Sequence, residues 1–189
     1  MTGLSDTTFS EKRVNNMHMI LNVAAFKVGW LSSVIGGAQQ LPWLGPAIVL
    51  MAVMIHLYYA KRARTEMMLI LICGLMGAVF DSVLVAAGWV TYPSGLVSEL
   101  LAPYWIVAMW MLFATTLNVS MKWLRTRPAL AAVIGLVAGP MSYLGGHKLG
   151  GMEFLNETVA LIALAIGWAM IMPVLMVLAR RFDGVTSEA

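Results

Sequence analysis

The chain has 189 residues, of which 60% are hydrophobic and 11% are charged, and its formal net charge is +3. A soluble domain of this size carries roughly 25% charged residues, so a globule in water is excluded. The long apolar runs lack the alternation of membrane strands, which excludes a β-barrel and predicts an all-α, polytopic transmembrane bundle.

Six apolar runs follow one another along the chain, and each is close to the roughly 20 residues that a helix needs to cross a bilayer. They cover residues 19–40, 43–60, 67–90, 103–121, 129–147 and 158–178. We therefore expect a single six-helix transmembrane domain at residues 19–180, between an N-terminal tail at 1–18 and a C-terminal tail at 181–189. No small-residue cleavage site closes the first run, so it is interpreted as a retained insertion signal.

The basic residues predict the orientation of these spans. Alternate connections and the two tails hold ten of the twelve Lys and Arg residues, whereas the remaining loops hold only Lys148, and Lys27 lies within the first run. Cytoplasmic loops of membrane proteins carry the excess of Lys and Arg. The pattern predicts six spans with both the N-terminus and the C-terminus in the cytoplasm.

Polar residues inside the runs are the candidates for a functional site. At about 1.5 Å per helical residue, Ser32, Asp81, Ser142 and Tyr143 fall into one layer beyond the bilayer midplane. Charged side chains are costly there and mark a functional site by default. Asp81 is expected to meet donors from the first and fifth spans, and two interpretations stay open: a ligand site, or a hydrogen-bonded hub that holds the helices together.

Further polar groups complete the predicted set. Asn118 falls in a second layer near the cytoplasmic boundary, with His56 and Asn22, and Trp110 lies near mid-depth with an N–H that needs an acceptor when it is buried. The candidate ligand-binding or polar-layer residues are Asp81, Ser142, Tyr143, Ser32, Asn118 and Trp110.

Motifs for soluble enzyme chemistry are absent from the sequence. There is no HExxH, P-loop, GxSxG or Cys/His metal spacing, and Cys73 is the single cysteine. We expect no cofactor, no metal and no nucleic-acid partner, and the sequence does not favour an enzyme.

Three stretches carry a family resemblance: FDSVL at 80–84, LFATTLN at 112–118 and GPMSYLGG at 139–146. Together they resemble an uncharacterised family of small bacterial inner-membrane proteins, the domain-of-unknown-function family 2878. The resemblance covers about residues 20–180. It implies an inner-membrane location and an association with membrane-lipid modification, and it assigns no role to any residue.

A polar layer inside an apolar bundle favours binding or transport of a small amphipathic molecule or lipid, with Asp81, Ser142 and Tyr143 orienting its polar end. Membrane lipids and such a ligand are the expected partners. An intramembrane lipid-modifying enzyme and a non-catalytic subunit bound to a membrane protein partner are the alternatives.

Overall fold

A computed structural model describes the backbone of residues 3–186 and the side chains of residues 17–186. Within that part, the chain forms six α-helices, a short 3₁₀ helix and a two-stranded ribbon. The elements are α1 (Gly3–Ala38), α2 (Leu44–Tyr59), α3 (Ala63–Ala86), β1 (Val90–Thr91), α4 (Tyr104–Leu117), the 3₁₀ helix (Lys122–Leu124), α5 (Pro128–Lys148), β2 (Glu153–Phe154) and α6 (Glu157–Arg181).

Helix α4 lies at the centre of the bundle. Helices α1, α2 and α3 pack against it, α6 approaches it, and α5 packs along α6. Trp105, Leu112 and Leu117 of α4 are buried. Gly29 of α1 lies so close to Leu112 that a β-carbon would overlap the leucine side chain. The absence of a side chain at Gly29 therefore lets the two backbones approach, as small residues do between membrane helices.

The helices run alternately between two ends of the bundle. At the end that we call the basic end, the last turns of α2, α4 and α6 meet the first turns of α3 and α5. The side chain of Asn118 there donates to Glu66, and the backbone N–H of Arg62 donates to the carbonyl of Gly184. The basic end holds Lys61, Arg62, Arg64, Lys122, Arg125, Arg127, Arg180 and Arg181.

The opposite end, which we call the distal end, is closed by loops. Val90 pairs with Phe154 in the antiparallel ribbon, which joins the α3–α4 loop to the α5–α6 loop. Ser94 donates to the carbonyl of Gly37, and Trp105 donates to the carbonyl of Ser94. The α3–α4 loop is thereby fixed across the ends of α1 and α4.

Four helical stretches are long and apolar enough to cross a membrane: Met17–Ala38, α3, α5 and α6. Helices α2 and α4 are apolar but have only 16 and 14 residues. Large apolar side chains cover the outside of the long helices, with Leu75, Met141 and Met170 each more than 60% exposed. These surfaces indicate a membrane protein.

Several boundaries differ from those that the sequence predicts. Helix α4 ends at Leu117, four residues earlier than expected, because the hydroxyls of Thr115 and Thr116 bond to carbonyls three residues before them and compete with the helical pattern. Helix α1 begins at Gly3, so most of the expected N-terminal tail is helical. Residues 182–186 of the expected C-terminal tail pack against the bundle, and residues 187–189 lie outside the described part.

Candidate functional site

Asp81 is fully buried in α3 and accepts three hydrogen bonds from aromatic side chains. Tyr92 and Tyr143 donate their hydroxyl protons to Oδ1 at 3.0 and 2.7 Å. The indole N–H of Trp110 donates to Oδ2 at 2.7 Å. Helices α3, α4 and α5 and the α3–α4 loop therefore converge on one carboxyl group.

No basic side chain of the described residues pairs with this carboxyl group. Lys27 of α1, which lies within the first apolar run, is exposed and forms no ion pair with Asp81. Burial and the neighbouring Asp81 carboxyl raise the pKa of Tyr92 well above its ordinary value, so this tyrosine keeps its proton and remains a donor. An ionised carboxyl group only accepts hydrogen bonds, so three donors satisfy Asp81 as a carboxylate.

A cavity of about 250 Å³ lies beside this cluster. Its wall includes Tyr92, Trp110 and Tyr143, but Asp81 itself lies behind them and does not line the cavity. Phenylalanine and tryptophan side chains form part of the remaining wall, together with methionine, aliphatic and glycine residues and Ser142. The aromatic lining residues are Phe26, Trp30, Tyr92, Trp105, Trp110, Phe113, Tyr143 and Trp168.

Glycines set the positions of the two central indoles. The rings of Trp110 and Trp168 are stacked, with centroids 4.6 Å apart and planes at 11°. A β-carbon at Gly77 would overlap the ring of Trp110, and one at Gly139 would overlap the ring of Trp168. The buried indole N–H of Trp168 has no hydrogen-bond partner within the described part of the chain.

The structure brings together three of the predicted site residues and places a fourth beside them. Trp110 and Tyr143 bond directly to Asp81. Ser142 lines the cavity, but its hydroxyl donates to the carbonyl of Gly139 in its own helix. Asp81 itself does not line the cavity, because three aromatic side chains separate its carboxyl group from it.

The other two predicted residues lie elsewhere. Ser32 donates to the carbonyl of Val28 within α1 and does not line the cavity. Asn118 lies at the basic end, as its predicted depth required, and bonds to Glu66. Tyr92 was missing from the predicted set because its position just after a span is typical of an interfacial anchor.

Glu66 is the centre of a second buried cluster at the basic end. Its carboxylate is fully buried and accepts hydrogen bonds from Asn118 and from the backbone N–H of Gly184, at 2.7 and 2.8 Å. His56 Nε2 lies 2.8 Å from the other carboxylate oxygen. Sequence reasoning did not single out Glu66, because an acid three residues from a basic loop resembles a solvated surface charge.

Residues 182–186, which we call the C-terminal strap, close this cluster. Gly184 packs so tightly that a β-carbon would overlap the carbonyl oxygen of Arg62. Asp183 accepts from Arg125 at 2.8 Å, from the hydroxyl of Thr186 at 2.7 Å and from its backbone N–H at 2.9 Å. The strap therefore covers the buried Glu66 and is anchored on Arg125.

The anchor is expected to persist in moderate acid. Burial alone would raise the pKa of Asp183, but hydrogen bonds from Thr186 and Arg125 outweigh it and lower the pKa from 3.8 to about 2. Because the folded-state pKa lies below the unfolded one, the stabilisation is complete above about pH 4 and is lost as the pH falls toward 2. The amide resonance of Thr186, followed by NMR in neutral micelles, should titrate with a midpoint near 2.

The variant Arg125→Gln should raise this midpoint, because it removes the charged donor. A midpoint near 3.8 in the unaltered protein would mean that the strap is detached in solution.

The described residues contain no group of three His, Cys, Asp or Glu side chains that could hold a metal ion. Comparison with known proteins gives one match. Neither the curated proteins nor the solved structures include a significant match. A family profile described as a protein of unknown function, DUF2878, matches residues 19–174, which is most of the chain. The protein thus belongs to the DUF2878 family, whose function is unknown.

Proposed function

We propose that this protein is a six-span membrane protein of the bacterial inner membrane that binds or transports a small amphipathic molecule or lipid in a membrane-lipid pathway. The observation that carries the proposal is the aromatic cavity of about 250 Å³ beside a buried carboxylate. Ligand sites are concave and mostly apolar, with few fixed polar groups. An apolar chain fits this wall.

The six-span topology is supported by where the two short helices begin and end. At about 1.5 Å per residue, α2 and α4 are about 24 and 21 Å long. At the basic end both helices nevertheless reach the start of α3, since Asn118 after α4 bonds to Glu66 and His56 of α2 lies 2.8 Å from it. At the distal end Trp105 of α4 bonds to Ser94 of the α3–α4 loop.

The orientation follows from the charge at the basic end. Eight of the described Lys and Arg residues lie there, in connections and helix ends that the structure brings together. With the positive-inside rule, the basic end faces the cytoplasm. Both termini then lie on the cytoplasmic side.

The cavity has a side opening on α5. Ala138 both lines the cavity and is exposed, whereas the neighbouring Val137 is exposed but does not line it. Helices α1 and α5 hardly approach each other along their backbones, although Gly145 lies beside the ring of Trp30. A ligand chain could therefore enter from the bilayer between α1 and α5, past Ala138.

The substitution Ala138→Phe is expected to block this entrance without disturbing the core. The probe is a neutral fatty alcohol that carries a diazirine near the end of its chain, added to the purified protein in maltoside micelles. On irradiation it should label lining residues such as Met109 and Phe113, and Ala138→Phe should reduce that labelling about tenfold. Peptide mass spectrometry measures the yield at each position.

Val137→Phe is the matched control, because it adds the same ring one position away on the outer face. It should leave the labelling unchanged. Labelling confined to exposed lipid-facing residues in all three proteins would contradict the proposal.

The alternative of an intramembrane lipid-modifying enzyme has less support. Among the lining residues that the structure describes, Ser142 is the only aliphatic hydroxyl, and it donates to its own helix. Asp81 is screened from the cavity, so an acid or base role would have to act through Tyr143. The alternative of a non-catalytic subunit has no feature that favours it over ligand binding.

A further inference from the structure

We infer that the ligand of this cavity carries a positive charge without N–H groups, as in an alkylated, quaternary ammonium amphiphile. The inference rests on the proposed function and specifies its ligand class. It follows from the charge behind the cavity, from the aromatic wall, and from the hydrogen bonds that this wall has already made.

The charge comes from Asp81. Its carboxylate is fully buried, and it accepts bonds from three neutral donors. No Lys, Arg or His of the described residues forms an ion pair with it. Lys148 at the distal end is exposed, and Lys27 faces outward from α1. A buried charge is costly unless a partner of opposite charge compensates it, and the protein supplies none.

The cavity beside the cluster offers a place for that positive charge. Tyr92, Trp110 and Tyr143 each contact Asp81 with their polar atoms and line the cavity with their rings. The carboxylate is therefore separated from a bound ligand by the width of one side chain. Charges at that separation interact appreciably in a medium of low dielectric constant.

Aromatic rings suit a cation as well. The faces of Trp, Tyr and Phe rings attract cations within about 6 Å, and aromatic cages of this kind recognise quaternary ammonium groups. Eight aromatic residues line this cavity. An anionic headgroup would meet the same rings and the same carboxylate, so it should be rejected.

The wall also favours a cation that needs no hydrogen bonds. The only side-chain oxygens among the described lining residues are the hydroxyls of Tyr92, Tyr143 and Ser142, which already bond to Asp81 and to Gly139, whereas the indoles, including the unbonded one of Trp168, only donate. A primary ammonium would bring three N–H donors that need acceptors. A trimethylammonium group brings none.

Competition against the photoreactive fatty alcohol tests the inference. One competitor is decyltrimethylammonium, and its control is the hydrocarbon in which a carbon atom replaces the nitrogen. In the unaltered protein, the cation should suppress labelling of the cavity at a lower concentration than the uncharged hydrocarbon, its isostere. The ratio of the two concentrations should be at least about tenfold. In Asp81→Asn this ratio should fall to about threefold, because only the rings remain to favour the cation.

Decyl sulfate gives a test that needs no variant, because it pairs the same chain with a negative head and should compete least of the three. Equal competition by cation and isostere, or by cation and sulfate, would overturn the inference while leaving binding of an apolar chain intact. A ratio unchanged in Asp81→Asn would also overturn it, since Asp81 would not be the source. Absence of any cavity labelling or competition would end both this inference and the proposed function.

Discussion

Replacing Glu66 by alanine is expected to lower the free energy of unfolding by about 3–5 kcal/mol, the usual cost of removing one partner from a buried charged network. The substitution leaves the side chain of His56 and the backbone N–H of Gly184 without this acceptor, and it leaves the amide of Asn118 with the carbonyl of Phe182 alone. Each buried donor without a partner costs about 1–3 kcal/mol. The C-terminal strap should loosen at Gly184, which loses its bond to this carboxylate, while Arg125 still holds Asp183.

The measurement is the loss of helical circular dichroism as a denaturing detergent is titrated into neutral micelles. Glu153→Ala is the matched control, since Glu153 is an exposed acid in the ribbon at the distal end. It should change stability by no more than about 0.5 kcal/mol. If Glu66→Ala unfolds at the same detergent fraction as this control, Glu66 does not hold the basic end together.

The fold was largely predictable, because hydropathy and charge act on whole segments. Each of the six apolar runs contains or overlaps one helix, and the basic loops come together at one end of the bundle. The lengths of α2 and α4 were not predictable in this way. Runs 43–60 and 103–121 contain enough apolar residues to span, but side-chain hydrogen bonds and a 3₁₀ turn end α4 early.

The site was predictable only where it lies on long regular helices. The depth estimate placed Asp81 and Tyr143 in one layer, and they are in contact. The same estimate included Ser32, which faces away from Asp81, because depth along a helix carries no information about rotation around its axis. Tyr92 follows the end of α3 in a loop that folds back into the bundle, and no periodic pattern describes such a loop.

Replacing Asp81 by alanine is expected to destabilise the protein by about 3–5 kcal/mol. Three donors lose the acceptor that Asp81 provides, namely the hydroxyls of Tyr92 and Tyr143 and the indole N–H of Trp110. These groups are buried away from water, so each carries its desolvation cost. The measurement is the same detergent-induced unfolding, with Ser32→Ala as the control, because Ser32 bonds only within its own helix.

A mutant cycle separates the cost of losing these hydrogen bonds from the cost of the empty space that the smaller alanine side chain leaves. In the background Tyr92→Phe with Tyr143→Phe, two of the three donors are absent, so Asp81→Ala should cost less than it does in the unaltered protein. The destabilisation by Asp81→Ala should be smaller in this background by about 1–3 kcal/mol for each hydroxyl removed. The effects of substitutions at neighbouring residues of one network do not add. If Asp81→Ala costs the same in both backgrounds, the three bonds contribute nothing and the penalty is lost packing alone.

If the cost falls as expected, Asp81 holds three elements of the bundle together. The acid would then be both the link between the helices and the uncompensated charge behind the aromatic cavity.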